Sequence, residues 1–417
     1  MNKGRKESTV EYLYLCPCHF GLEAVLKREL AGLNLEVVRV EDGKVFFKGD
    51  ASAAARANVF LRTAERVQLV VGEFEATTYD ELFEGVKALV WEELLPVDAN
   101  FFVSKAYSVK SKLFSPSDIQ RITGKAVVEA MKRKHRLTIF PKSGASYPVR
   151  IAIIKDHVTV SIDTSGESLH KRGYRKFRSA APISETLAAA IIMLTPWRED
   201  RILVDPFCGC GTIPIEAALI GRNIAPGISR SFAGEEYPIF PKNVWNNARE
   251  EAKSLISPDR KMSIEGYDID SEVLSYARKN AEAAGVLDTI HFQARDMRAL
   301  SSSHQYGFII TNPPYGERLA PGTRTGETFG SSAKEMKQGS KAESGELPAL
   351  YGSMGEVFAR LKNWSYFFVT SYEKAQESFG RKADKNRKIY NGMIKTYLYE
   401  YYGPKPPKKE KQGHFSG

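Results

Sequence analysis

The sequence contains no run of about 18 apolar residues, and its longest candidate, around Leu187–Leu194, is too short to span a bilayer. The opening MNKGRKESTV is charged and has no apolar signal region, so a soluble cytoplasmic protein without membrane contact is expected. Cysteine is scarce: four residues form the pairs Cys16/Cys18 and Cys208/Cys210. Both pairs are C-x-C rather than the C-x-x-C of zinc sites or dithiol exchange, and His19 beside the first pair has no second ligand cluster. Buried thiols and no metal are the expectation. No repeat with a period of 20–50 residues occurs, which excludes solenoids and propellers. The glycine turn at Gly209 and Gly211 is followed by neither the third glycine of a nicotinamide fingerprint nor the G-K-[ST] of a phosphate loop.

Negative charge is in deficit. Sixty Lys and Arg face fifty Asp and Glu, giving a net charge of +10 and a pI near 9.2, which points to a polyanionic partner such as nucleic acid. The excess concentrates in LHKRGYRKFR (169–178) and in the tail GPKPPKKEK, the latter expected to be disordered from 404 to 417. The first stretch interleaves Tyr174 and Phe177 with Lys171, Arg172, Arg175, Lys176 and Arg178, a pattern suited to phosphate contacts and base stacking.

With 417 residues, two or three domains are expected. The first 165 residues mix strand and helix without regular alternation, reading as an α+β unit of two small subdomains. Residues 166–182 form a basic linker. From ISETLAAAIIMLTPW onward strand and helix alternate, with strands in RILVDP, SIEGYDID, IHFQARD, YGFIITNPP, YFFVTS and KTYLYEYY, the pattern of an α/β, doubly wound, mainly parallel sheet. Residues 222–262 and 321–346 interrupt it; the second, rich in Gly, Ser, Thr, Lys and Glu, reads as a flexible loop beside the site.

In such sheets ligands sit at the carboxyl ends of strands. ILVDPFCGCGT puts Asp205 at one end, followed by Phe207, the two glycines and a helix entered near Thr212, so a backbone could pass close to a ligand there. Asp268 ends the next strand and could take a ribose diol, with Asp270 as second choice; it stands well beyond the usual ~20-residue spacing because 222–262 intervenes. Asp296 ends the third and could accept from an adenine amine. Acids in the order amine, ribose, base describe S-adenosylmethionine. The fourth strand leads into Asn312-Pro313-Pro314-Tyr315. An amine on a planar ring is a poor nucleophile, and two uncharged acceptors, the Asn312 side-chain oxygen and the Pro313 carbonyl, would orient it while Tyr315 stacks on the ring.

DPFCGCGT and TNPPYGERL, together with ESLHKRGYR, APISETLAAAII, IAPGISRSF and RKIYNG, resemble the class I S-adenosylmethionine-dependent RNA methyltransferases of the bacterial 23S rRNA guanine-N2 family, formerly labelled N6-adenine-specific DNA methylases. The resemblance implies a Rossmann-like domain with a mainly parallel seven-stranded sheet at 183–403. It also implies a ferredoxin-like part at 1–50 and a THUMP RNA-binding domain at 44–165. By the same resemblance Pro182, Ile183, Asp205, Phe207, Gly209, Gly211, Thr212, Asp268, Ile269, Asp296, Met297 and Asn312 surround the cofactor, and Asn312 to Tyr315 hold the target amine. The implied substrate is 23S rRNA or a pre-50S particle, bound by a monomer or weak homodimer. The loop alone serves adenine N6, cytosine N4, glutamine N5 or guanine N2, so adenine methylation and a non-catalytic RNA-binding or ribosome-assembly role stay open.

Overall fold

The computed structural model describes residues 10–136, 139–177, 183–315, 345–392 and 394–407. Residues 321–344 of the expected loop and most of the basic tail lie outside them, while Glu346 already begins the helix Glu346–Arg360. The chain divides into two compact units: one comprises residues up to Gly173 with Asn223–Ser257, the other Tyr174–Arg222 with Pro258 onward.

The first unit is built on seven strands: β1 (Tyr12–Pro17), β2 (Glu36–Glu41), β3 (Lys44–Gly49), β4 (Gln68–Glu75), β5 (Asn100–Val109), β6 (Ser146–Ile154) and β7 (His157–Asp163). They form one sheet in the order β2-β3-β1-β4-β7-β6-β5, antiparallel except for the β5–β6 pair. The two subdomains expected from the sequence share this one sheet, joined through the β1–β4 pairing. The helices begin where the sequence marks them. Asp50 caps Ala51–Phe60, Thr78 and Glu81 form a capping box on Tyr79–Ala88, and Ser115 caps Pro116–His135.

Residues 223–257 lie inside the stretch expected to belong to the Rossmann-like domain, yet they complete the first unit. Their helix Lys242–Ser254 packs on the helix Ala51–Phe60, and the Arg56 guanidinium grips Glu251 with two bonds of 2.9 and 2.8 Å. Gly227 N donates to Val59 O at 2.9 Å. Trp245, 1% exposed, stacks on Phe232 at 5.5 Å and meets Phe240 edge-on at 6.2 Å, while Tyr237 stacks on Tyr147 of β6 at 4.2 Å. Exposed polar positions hid this attachment in the sequence.

The second unit holds β8 (Leu203–Asp205), β9 (Ile264–Asp268), β10 (Ile290–Ala294), β11 (Phe308–Thr311), β12 (Ser365–Thr370), β13 (Lys385–Asn391) and β14 (Ile394–Tyr401). The sheet order is β10-β9-β8-β11-β12-β14-β13, parallel from β10 to β12, with β14 antiparallel to both of its neighbours. Among the described residues no helix is long and apolar enough to cross a membrane.

Trp245→Ala removes the largest side chain that residues 223–257 lend to the first core. It should lower the unfolding free energy by about 3–5 kcal/mol, read from urea denaturation followed by circular dichroism.

Candidate active site

Strand order reverses between β8 and β11: β9 and β10 extend the sheet to one side, β12 and its successors to the other. The crevice beyond these two strand ends is where a doubly wound sheet receives its ligand. Asp205 ends β8 and is only 1% exposed. Its Oδ1 accepts from Phe207 N at 3.1 Å and from the Thr311 hydroxyl at 2.6 Å. Thr311 ends β11 and immediately precedes Asn312. One buried hydrogen bond therefore ties the glycine turn to the N-P-P-Y loop.

The turn after β8 is shaped by glycines. Gly209 and Gly211 have φ of +52° and +86°, values at which an L side chain is strained. At Gly211 a Cβ would stand 3.1 Å from the Ala277 methyl and 3.3 Å from Phe292, so the cradle is also too tight for a side chain. Gly209 N donates to Asp268 Oδ2 at 3.0 Å, and Cys208 N donates to Tyr267 O at 2.9 Å, which docks the turn onto the end of β9. Burial pushes the Asp268 carboxyl up, partly offset by bonds from Asp270 and Gly209 amides. Asp270 spends its side chain capping the helix Ser271–Ala283, leaving Asp268 as the carboxylate of this pair that faces the turn.

Ile269, next to Asp268, is 76% exposed, an apolar surface suited to the face of a flat ring. Asp296 caps the turn Met297–Ala299 and pairs with Arg298 at 2.6 Å, whose guanidinium holds its carboxyl below the usual range. The Met297 side chain, expected at the cofactor, instead lies in the core among Ile202, Val204 and Tyr351. The buried Cys208 thiol is pushed up by burial, so no thiolate competes there.

The basic stretch is corrected most. Tyr174, expected to stack on a base, is 5% exposed and donates to Glu216 at 3.0 Å. Arg175, expected on phosphate, donates to Ile183 O at 2.7 Å and Thr212 Oγ1 at 2.9 Å and pairs with Glu185 at 3.1 Å. Arg172 is buried with its guanidinium on the Leu169 and Arg62 carbonyls. Their cations stabilise the fold instead of lying open to phosphate. Lys171, paired with Glu167 at 2.9 Å, and Lys176 remain exposed; Arg178 and Pro182 lie outside the described residues. Asn280, unnoticed in the sequence, clamps this segment to the turn. It accepts from Lys176 N and Phe177 N at 3.2 and 3.3 Å and donates to Phe177 O at 3.1 Å and Cys210 O at 3.2 Å.

Asn312 and Pro313 are buried at the end of β11. The Tyr351 hydroxyl sits 3.3 Å from the Pro314 carbonyl and 2.6 Å from Thr370 Oγ1, fixing the loop against β12. Tyr315 is buried, with its hydroxyl accepting from Asn391 Nδ2 at 3.3 Å. Asn391 belongs to RKIYNG at the end of β13, a stretch whose charges concealed a strand. A 420 Å³ cavity opens beside the loop, lined by Tyr315, Leu347, Ser371, Tyr372, Glu373, Lys374 and Ile394.

This sheet, its glycine cradle and the acids after β8, β9 and β10 define a class I S-adenosylmethionine-dependent methyltransferase, and the residues present fit that cofactor. Residues 172–347 match the RMKL-like methyltransferase domain, 14–68 the RlmL ferredoxin-like domain and 76–163 the THUMP domain. The chain is 42% identical to the Bacillus subtilis (strain 168) protein named "Putative RNA methyltransferase YpsC" over 96% of this chain and 98% of that one. It is 30% identical to the ribosomal RNA large subunit methyltransferase K/L of Marinobacter nauticus (strain ATCC 700491 / DSM 11845 / VT8) over 93% of this chain and 52% of that one. It thus spans about half the length of that relative. The crystal structure of SMU.472 complexed with SAH superposes with a TM-score of 0.85 at 41% identity, covering 95% of this chain and 99% of that one. The chain belongs to the RlmK/L-like RNA methyltransferase family.

Thr311→Val keeps shape but deletes the donor to buried Asp205, and should cost about 1–3 kcal/mol of unfolding free energy in urea denaturation. Cofactor binding should weaken on acidification, because the raised Asp268 carboxyl takes up its proton above the ordinary aspartate value of about 3.9. Calorimetric titration with S-adenosylhomocysteine from pH 8 downward checks this. The same shift gives Asp268 a stability contribution of opposite sign. Burial of its charge opposes folding at neutral pH, and that opposition is relieved as pH falls through its raised value.

Proposed function

We propose that this chain transfers a methyl group from S-adenosylmethionine to the exocyclic N2 of a guanine in 23S ribosomal RNA, in the cytoplasm. The observation that carries the reading is the bond between Asp205 and Thr311, which sets the cofactor turn and the N-P-P-Y loop side by side at the strand reversal. The relatives named for large-subunit ribosomal RNA, and a THUMP domain on the same chain, support RNA as the substrate.

Asp205 and Gly209 would flank the methionine end of the cofactor, Asp268 the ribose and Asp296 the adenine amine, with Ile269 against the adenine face. When bound, the cofactor supplies an electrophilic methyl on a sulfonium. The Asn312 side-chain oxygen and the Pro313 carbonyl accept from the two N–H bonds of the target amine and turn its lone pair toward that methyl. Proline fixes the carbonyl's direction in advance, so little reorganisation is needed. As the new N–C bond forms and the S–C bond breaks, the amine sheds one proton along these acceptors to water. No side-chain nucleophile is required; positioning supplies the rate. The base must be unpaired or turned out of its helix to reach a buried loop.

Asn312→Ala should lower kcat by about 100- to 1000-fold with a smaller effect on cofactor affinity. The assay uses labelled S-adenosylmethionine with ribosomal RNA and intact large subunits from cells lacking the gene, digested to nucleosides. Label in N2-methylguanosine is expected; label in adenosine alone, or full activity in the variant, would overturn the assignment.

A further inference from the structure

The cavity beside the N-P-P-Y loop has a composition that the methyl-transfer scheme has not used. Tyr315 and Tyr372 give it aromatic walls, Leu347 and Ile394 aliphatic ones, and Glu373 and Lys374 bring one anion and one cation. Ser371 to Lys374 follow directly on β12, whose Phe368 is the register partner of Thr311 on β11, so the charged pair stands one strand over from Asn312. Glu373 also bears on Lys395 of the next strand, β14, which is held charged first by Tyr397 and more weakly by this carboxylate.

Lys395 is not part of the cavity lining, where one anion and one cation offset each other, so a phosphate would gain little there. A flat, neutral heterocycle with a donor beside an acceptor matches the set. Amine-bearing nucleobases differ in what stands next to the amine. Beside adenine N6 is N1, an acceptor; beside cytosine N4 is N3, also an acceptor. Guanine alone places a donor, N1–H, beside its N2 amine, with the acceptor O6 beyond it. An ionised carboxylate accepts only, so it bonds guanine N1–H and faces the lone pair of adenine or cytosine.

The geometry points to Glu373 as the residue that selects guanine, its carboxylate accepting from N1–H while Lys374 donates to O6 and the N2 amine reaches Asn312 and Pro313. This rests on the guanine-N2 reading above and adds a specificity determinant to it. Glu373 touches the base but takes no part in bond making, and rejection of the other bases comes from an acceptor left facing an acceptor.

The test compares wild type, Glu373→Gln and Glu373→Ala on ribosomal RNA and large subunits from cells lacking the gene. Nucleosides are quantified by mass spectrometry, and S-adenosylhomocysteine affinity and unfolding midpoint are measured in parallel. The expected result is a loss of roughly 10- to 100-fold in kcat/KM for Glu373→Ala, with Glu373→Gln between it and wild type because an amide retains one acceptor oxygen. Cofactor affinity and unfolding midpoint should be unchanged, which a merely structural role would not give. Wild-type kcat/KM in Glu373→Ala, with label still in N2-methylguanosine, overturns the role of Glu373 and leaves the guanine reading standing. Label in adenosine from the wild-type protein overturns both.

Discussion

The hydrogen bond from Thr311 to Asp205 is the constraint on which the second unit's site rests. It is short, 2.6 Å, and both residues are buried, so water does not compete for it. A buried carboxylate is tolerated only when its lone pairs are met, and a backbone amide and a neighbouring strand's hydroxyl meet those of Oδ1. The strands would lie side by side without it. What the bond adds is register between two loops that leave those strands in different directions, one passing Gly209 and Gly211, the other Asn312 and Pro313. The spacing of those two loops is thereby set by the sheet itself.

The three acids that follow β8, β9 and β10 show how burial divides labour among identical groups. Asp205 is sealed off and holds the frame. Asp268 is half-buried, pushed up by desolvation, and docks the glycine turn through Gly209 N. Asp296 is partly exposed, with 40% of its side chain open, and is pulled down by Arg298. The gradient from dry to wet runs along one sheet edge, and it suits a cofactor whose amino-acid end, sugar and base differ in charge and polarity.

Much of this was legible in the sequence. Strand–helix alternation gave the doubly wound sheet, Asp205-Pro206-Phe207-Cys208-Gly209 announced the turn, and Asn312 to Tyr315 announced the second loop. Two classes of feature were not. Two edge strands escaped: β2 has no buried residue and β13 reads KNRKIYN, so neither shows the apolar alternation that marks a strand with one covered face. Long-range polar partners escaped as well. Arg172, Tyr174 and Arg175 looked like an RNA-facing strip because charge density does not reveal whether a guanidinium meets phosphate or a backbone carbonyl. Asn280 and Tyr351 gave no local signal; Asn391 stood inside RKIYNG, a stretch noticed only for its resemblance, and Thr311 could have been singled out by its position before the N-P-P-Y loop.

The detachment of Asn223–Ser257 from its sequence neighbours has a consequence for biosynthesis. Gly173 leaves the ribosome with the first sheet fully translated but without Phe232, Tyr237 and Trp245 to close its core. That closure waits for roughly 80 more residues, on the order of ten seconds at about 5–20 residues per second. In the interval the nascent chain carries an uncovered aromatic surface while Leu203 to Gly221 emerge behind it. The two units are thus interleaved in the order of their synthesis, and the core of the first closes only after part of the second has been made.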